Sequence, residues 1–217
     1  MPPIKIKITY IEGMKEIVLN EISNFPKLHL DHEDREALYF DFISNFKTLE
    51  KLKSVLRVYA VFQDLQFNPF FISNHKSIIG ELIDTVLFGN KDKFSTFNID
   101  CAGSDSKEVK EIINYIKHEF KLEEAEEADI KIHIIKLDKI WEVGVQLTRR
   151  PLSVRDYKVE NIKGGINPTI AHAMNVLAGL DSATSYLNIF SGSATLLIEA
   201  ARIKPDLKLI GFDIDKK

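Results

Sequence analysis

The chain has 217 residues, 45% of them apolar and 28% charged, which are ordinary proportions for a globular protein able to bury a core. Its formal charge of -3 excludes the wholesale basic surface of a histone-like binder, so any nucleic-acid contact must come from a local patch. One cysteine, Cys101, excludes an intramolecular disulfide framework and a zinc ribbon, and fits a reducing compartment such as the cytoplasm.

No run approaches the roughly 18 apolar residues of a membrane span, and Met1-Pro2-Pro3 followed by Lys5 and Lys7 has no signal-peptide core. A soluble, unprocessed protein is expected. Ile4, Ile6 and Ile8 alternate with lysines as in a half-buried strand, and Ile17, Val18 and Ile22 then trace a helix face. Leu28 to His32 and Ala37 to Phe42 flank the polar Glu33-Asp34-Arg35-Glu36 as a hairpin would. A short helix from Thr48 to Lys53 and a strand from Val55 to Leu65 complete a β-α-β-β-α-β order, that of a ferredoxin-like unit ending near Pro69.

A second unit opens with a helix from Lys76 to Leu87 and a strand from Thr96 to Ala102. Ser104 is the expected N-cap of a helix carrying Val109, Ile112, Ile113, Ile116 and Phe120. The acidic run Glu123 to Glu127 is expected as its solvated end, before strands from Asp129 to Leu137 and Ile140 to Thr148. A charged link, Arg149 to Lys163, leads to Gly164-Gly165, after which Asn167 caps a helix with Pro168 at its first position and Gly179 ends it.

Tyr186 to Phe190 reads as a buried strand, Ser191 to Thr195 as a turn of small residues, Leu196 to Arg202 as a helix, and Lys208 to Phe212 as a second strand closed by Asp213. In parallel α/β sheets, ligands sit beyond the C-terminal strand ends, where such a turn lets backbone N–H groups approach them, and an acidic residue ~20 positions on takes ribose hydroxyls. An ordinary turn with a surface aspartate fits the same spacing. Neither a G-x-G-x-x-G nor a G-x-x-x-x-G-K-[ST] pattern is present, which disfavours a pyrophosphate ligand.

Asn188-Ile189-Phe190-Ser191-Gly192-Ser193-Ala194-Thr195 followed by Leu196-Leu197-Ile198-Glu199-Ala200-Ala201 resembles the D-P-F-C-G-S-G-T-x-x-I-E-A-A signature of class I RNA methyltransferases. Upstream, Leu152 to Tyr157 and Asn167 to Ala171 are similar to that family's L-x-x-R-x-Y and L-x-x-T-L-A-A segments. Residues 71–150 resemble a THUMP domain and residues 1–70 the ferredoxin-like domain that accompanies it. The likeness points to the THUMP-containing guanine-N2 RNA methyltransferases. It implies a mixed α/β and α+β chain, with a ferredoxin-like domain (1–70), a THUMP RNA-binding domain (71–150), a basic linker (151–165) and the first β-α-β part of a Rossmann-like methyltransferase domain (166–217).

By the same resemblance, S-adenosylmethionine is the cofactor, held by Asn188, Phe190, Ser191, Gly192, Ser193, Ala194, Thr195 and Asp213, and structured RNA, a tRNA or rRNA, is the partner. The complete enzyme would methylate a base nitrogen of RNA through an (N/D)-P-P-(Y/F) segment. This chain lacks that segment and is expected to be inactive alone, its parallel sheet continuing past Lys217.

Two residues depart from the family pattern. Asn188 stands where an aspartate usually meets the cofactor's amino group, and Ala194 where a glycine is usual. If Ala194 needs a positive φ, its methyl group costs on the order of 1 kcal/mol.

Arg149, Arg150, Arg155, Lys158 and Lys163 face only Asp156 and Glu160 in the sequence, and phosphate contact is the functional expectation for this basic stretch. A solvated linker is the bland one. His29 and His32 are too few for a metal site, Cys101 reads as filler and Trp141 as packing. A non-catalytic RNA-binding protein with a decayed cofactor fold is the competing function. An RNA sulfur-transfer enzyme would carry a pyrophosphatase-type loop and reactive cysteines, which are not seen.

Overall fold

The computed structural model describes residues 4–25, 27–43, 46–64, 72–88, 94–137, 140–148, 150–159 and 163–214. In chain order the elements are β1 (Ile4–Thr9), α1 (Lys15–Ser23), β2 (Leu28–Glu33), β3 (Ala37–Phe42), β4 (Arg57–Asp64), α2 (Ile72–Leu87), β5 (Thr96–Cys101), α3 (Lys107–Phe120), β6 (Glu123–Glu124), β7 (Ile130–Leu137), β8 (Ile140–Gln146), α4 (Pro168–Leu177), β9 (Ser185–Asn188), α5 (Thr195–Ile203) and β10 (Lys208–Gly211), with short 3-10 helices at Phe46–Lys51 and Leu180–Ser182. Two compact units result: Met1–Ile8, Lys27–Phe46 and Arg57–Arg149 form the first, and Thr9–Pro26, Lys47–Leu56 and Arg150–Lys217 the second.

The first unit is built on an eight-stranded mixed sheet in the order β2-β3-β1-β4-β8-β7-β5-β6. Strand alternation sorts its faces: Ile6 and Ile8 in β1 and Ile130, Ile132 and Ile134 in β7 are buried, while Lys5, Lys7, Lys131 and His133 take the alternate positions. Helix α2 packs on β4, β8 and α3. The turn between β2 and β3 is closed by Asp34, whose Oδ1 accepts the N–H groups of Glu36 and Ala37 at 2.8 and 2.7 Å.

The two expected N-terminal modules share one sheet, because β4 and β8 pair antiparallel from Tyr59 with Gln146 to Asp64 with Trp141. That pairing removes an edge from each module and satisfies backbone groups otherwise open to another chain. The segment expected as a helix at Thr48 to Lys53 is a 3-10 helix, Phe46–Lys51.

Ser106, not Ser104, caps α3: its side chain accepts the Val109 N–H, and the helix closes at Lys121 with φ 57°. The acidic run is not a helix end either. Glu123 and Glu124 pair in parallel with Thr96 and Phe97 as a two-residue edge strand, their side chains exposed. Charges on so short an edge discourage further pairing.

In the second unit, Asn167 accepts the Thr169 N–H at 2.8 Å, Pro168 takes the first helical turn and Gly179 follows α4 with φ 67°. Strands β9 and β10 pair in parallel, Ser185 with Lys208 through Asn188 with Gly211. Leu180, Ala200 and Leu207 form a small core extended by Tyr186, Ile203 and Leu209, so one face of the strand pair lies against α5. Leu187, on the alternate position of β9, is 55% exposed. Among the described residues, no helix is long and apolar enough to cross a membrane.

Candidate functional site

The small-residue turn joins β9 to α5 at the C-terminal end of the parallel pair. Ser191 N–H donates to Phe212 O at 2.8 Å and Ala194 N–H to Ser191 O at 2.7 Å, so the turn is tied to the end of β10 and to itself. Gly192 has φ 50° and Ala194 φ 58°. An added Cβ at Gly192 would meet nothing within 4 Å among the described residues, so there is room beside this residue.

Ala194 is the N-cap of α5 and makes no side-chain cap, which leaves the first-turn N–H groups without the usual side-chain acceptor. Beside them Ser193 Oγ and Thr195 Oγ1 are 3.0 Å apart. Asp213 Oδ2 accepts the Gly192 N–H at 2.6 Å, and Asn188 Oδ1 accepts the Phe190 N–H at 3.1 Å. Phe190 is 83% exposed. All eight residues expected around the cofactor thus lie at one end of the β9-β10 pair, and the condition attached to Ala194 is met, since its backbone is left-handed.

The basic stretch separates into different environments. Arg150 is exposed and pairs with exposed Asp156. Lys163 is exposed, and partly buried Lys158 donates to Ile166 O at 3.1 Å. Arg149 lies outside the described residues.

Arg155, expected among the phosphate-facing cations, is instead buried at 6% exposure. Its Nε donates to Glu199 Oε1 at 3.1 Å, and its two terminal nitrogens donate to Leu152 O and Lys53 O. A buried carboxylate needs a compensating charge, and Glu199 on α5, with no solvent exposure, draws the guanidinium inward.

Around Glu199 lies a cluster that the sequence did not announce. Tyr157 donates its hydroxyl to Glu199 Oε1 at 2.7 Å, and Arg202 stands over the Tyr157 ring at 5.9 Å. Burial and the Glu199 charge push the Tyr157 phenol above its ordinary range. His172 Nδ1 lies 3.7 Å from Glu199 Oε2, too far for a hydrogen bond, and neither atom has a hydrogen-bond partner among the described residues. Burial lowers the His172 pKa, against the pull of Glu21 and Glu199. The available signals were a carboxylate inside the apolar run Leu196 to Ala201 and the arginine and tyrosine of the upstream segment.

The first unit holds a comparable centre. Glu142, fully buried in β8, accepts hydrogen bonds from Lys7 at 2.8 Å, Gln63 at 2.7 Å and Tyr39 at 3.1 Å, and lies 3.0 Å from His133 Nε2. Burial alone would raise its pKa, but the hydrogen bonds from His133, Lys7 and Gln63 together with the Lys7 charge hold it down to about 2. Of the residues given no chemistry, His32 stacks on Tyr39 with ring centroids 4.2 Å apart, and burial pushes the Cys101 thiol up. Among the described residues, no group of three metal-ligating side chains occurs.

Residues 155–214 match the family UPF0020, described as RMKL-like, methyltransferase domain. The chain is 38% identical over 76 residues to the tRNA (guanine(6)-N2)-methyltransferase of Thermus thermophilus, an alignment covering 35% of this chain and 22% of that protein. Its fold is similar to that of TrmN from Thermus thermophilus, with a TM-score of 0.76 and 17% identity over 98% of this chain and 66% of that one. SMU.472 complexed with SAH has a similar fold, with a TM-score of 0.64 and 20% identity over 94% of this chain and 56% of that one. The chain therefore spans less than two thirds of the length of the relatives it matches, and its residues 155–214, which hold the β9 to α5 turn, are similar to an RMKL-like methyltransferase domain.

Proposed function

We propose that this chain is the RNA-holding region and the cofactor-binding opening of an S-adenosylmethionine-dependent RNA methyltransferase, which modifies a base nitrogen, guanine N2, of tRNA or rRNA. The observation that carries the reading is the open turn Ser191 to Thr195, closed from below by Asp213 and leading into a helix whose first N–H groups lack a side-chain cap. Backbone donors of this kind suit a carboxylate, and an acid at the neighbouring strand end suits ribose hydroxyls.

Ser191, Gly192, Ser193, Ala194 and Thr195 would hold the methionine part of the cofactor, Asp213 its ribose, and Asn188 and Phe190 would flank it. When bound, S-adenosylmethionine supplies a methyl group activated on a sulfonium. Residues 1–70 and 71–150, read as ferredoxin-like and THUMP parts, would hold the RNA, with Arg149, Arg150, Lys158 and Lys163 against phosphates.

The left-handed backbone at Ala194 favours one other reading, a non-catalytic RNA-binding protein with a weakened cofactor turn. Methyl transfer decides between them: the protein expressed from its complete gene is incubated with labelled S-adenosylmethionine and unmodified tRNA or rRNA, and the product is digested to nucleosides. Label in N2-methylguanosine is expected. RNA binding without label would overturn the catalytic reading in favour of the non-catalytic one.

A further inference from the structure

We infer that Arg155 and Tyr157 are positioning residues for the cofactor turn, acting through Glu199; the inference rests on the reading of that turn as a cofactor site. Glu199 lies four residues beyond Thr195, one helical turn from the start of α5. Its Oε1 receives both the Arg155 Nε and the Tyr157 hydroxyl, so the first two turns of α5 are fastened from one side by the segment preceding α4. Arg155 is fastened in turn to Leu152 O and Lys53 O, and Lys53 N–H donates to Glu21 Oε1 at 2.7 Å. From α4, Asn175 Nδ2 donates to Leu196 O at 2.9 Å.

Helix α5 therefore cannot rotate or slide without breaking a buried ion pair, and a helix held in this way fixes the direction of its N-terminal N–H groups. Those groups are the ones the turn presents. Because the α5 start has no side-chain cap and includes a left-handed alanine, its geometry is set from behind by Glu199 more than by its own local preferences. The arginine contributes the planar fork that meets one carboxylate and two carbonyls at once, which a lysine cannot reproduce.

The test uses the protein expressed from its complete gene, labelled for amide exchange, with S-adenosylhomocysteine as the probe. Tyr157→Phe, which removes one hydroxyl, and Arg155→Lys are the variants, and Val18→Ala, a buried change in α1, is the control for a general loss of stability. Both variants are expected to speed exchange of the Gly192 and Ala194 amides at least threefold and to weaken S-adenosylhomocysteine binding at least threefold, with the control changing neither at matched folded fraction. Unchanged exchange at both amides in both variants would overturn the inference, as would equal changes in the control. Should the unaltered complete protein fail to bind S-adenosylhomocysteine, the cofactor reading falls, while the exchange rates still decide whether Arg155 and Tyr157 hold the turn.

Discussion

The carboxylate of Asp213 accepts a hydrogen bond from the backbone N–H of Gly192 at 2.6 Å, across 21 residues of sequence. The end of one parallel strand is thereby latched to the turn that follows the other. The acid proposed to take ribose hydroxyls is thus already held beside the turn proposed to take the rest of the cofactor, which would limit the ordering that binding must impose.

Ala194 tests the backbone of that turn. With φ at 58°, its methyl group is strained in a way glycine is not. Ala194→Gly is expected to stabilise the protein by about 0.5–1 kcal/mol, raising the melting temperature by ~1–4 °C. A lower melting temperature would show that the left-handed turn is not the native one.

Gly144 in β8 is demanded by its neighbour. A Cβ there would overlap the His133 ring, so the imidazole that reaches Glu142 would have to move. Gly144→Ala is expected to cost about 1–3 kcal/mol, as overpacking does, and a double-mutant cycle with His133→Ala should recover much of that cost. Additive losses in the cycle would contradict the steric account.

Much of this was legible in the chain because it is local. Asn167 with Pro168 announces the start of α4, and the small residues 191–195 between two apolar runs announce the turn. The pairing of β4 with β8 was not legible, since strand register across some eighty residues is decided by packing of the finished sheet and not by either segment. Arg155 misled for a related reason: five nearby cations look alike in sequence, and only the fold shows which one has a buried carboxylate 44 positions away. Glu123 and Glu124 lost their expected helical place because the left-handed Lys121 ends α3 before them.

The separation of Arg155 from the exposed cations is measurable. Arg155→Ala leaves Glu199 buried without its partner and is expected to cost about 3–5 kcal/mol of stability. Arg150→Ala combined with Lys163→Ala should leave stability nearly unchanged and flatten the slope of log RNA affinity against log salt by up to about 2. Thermal unfolding and salt-dependent RNA titration check the two halves, and an unchanged slope would remove these residues from the RNA surface.

Acid stability should report on Glu142. Its folded pKa, about 2, lies below the ordinary 4.5, so its contribution is full above pH 4.5 and is lost as the pH falls through about 2. Glu142→Gln is expected to be less stable at neutral pH and to show a flatter decline of stability between roughly pH 5 and 2. A variant with the same acid profile as the parent would place that acid sensitivity elsewhere.

The most direct test of the cofactor turn is to titrate S-adenosylhomocysteine into the isotope-labelled protein expressed from its complete gene and follow the backbone amides. The shifts should be confined to Gly192, Ser193, Ala194, Thr195 and the surroundings of Asp213, and Asp213→Ala should reduce them. Absence of any shift at these amides, or saturable shifts centred elsewhere, would contradict the assignment of the turn to the cofactor.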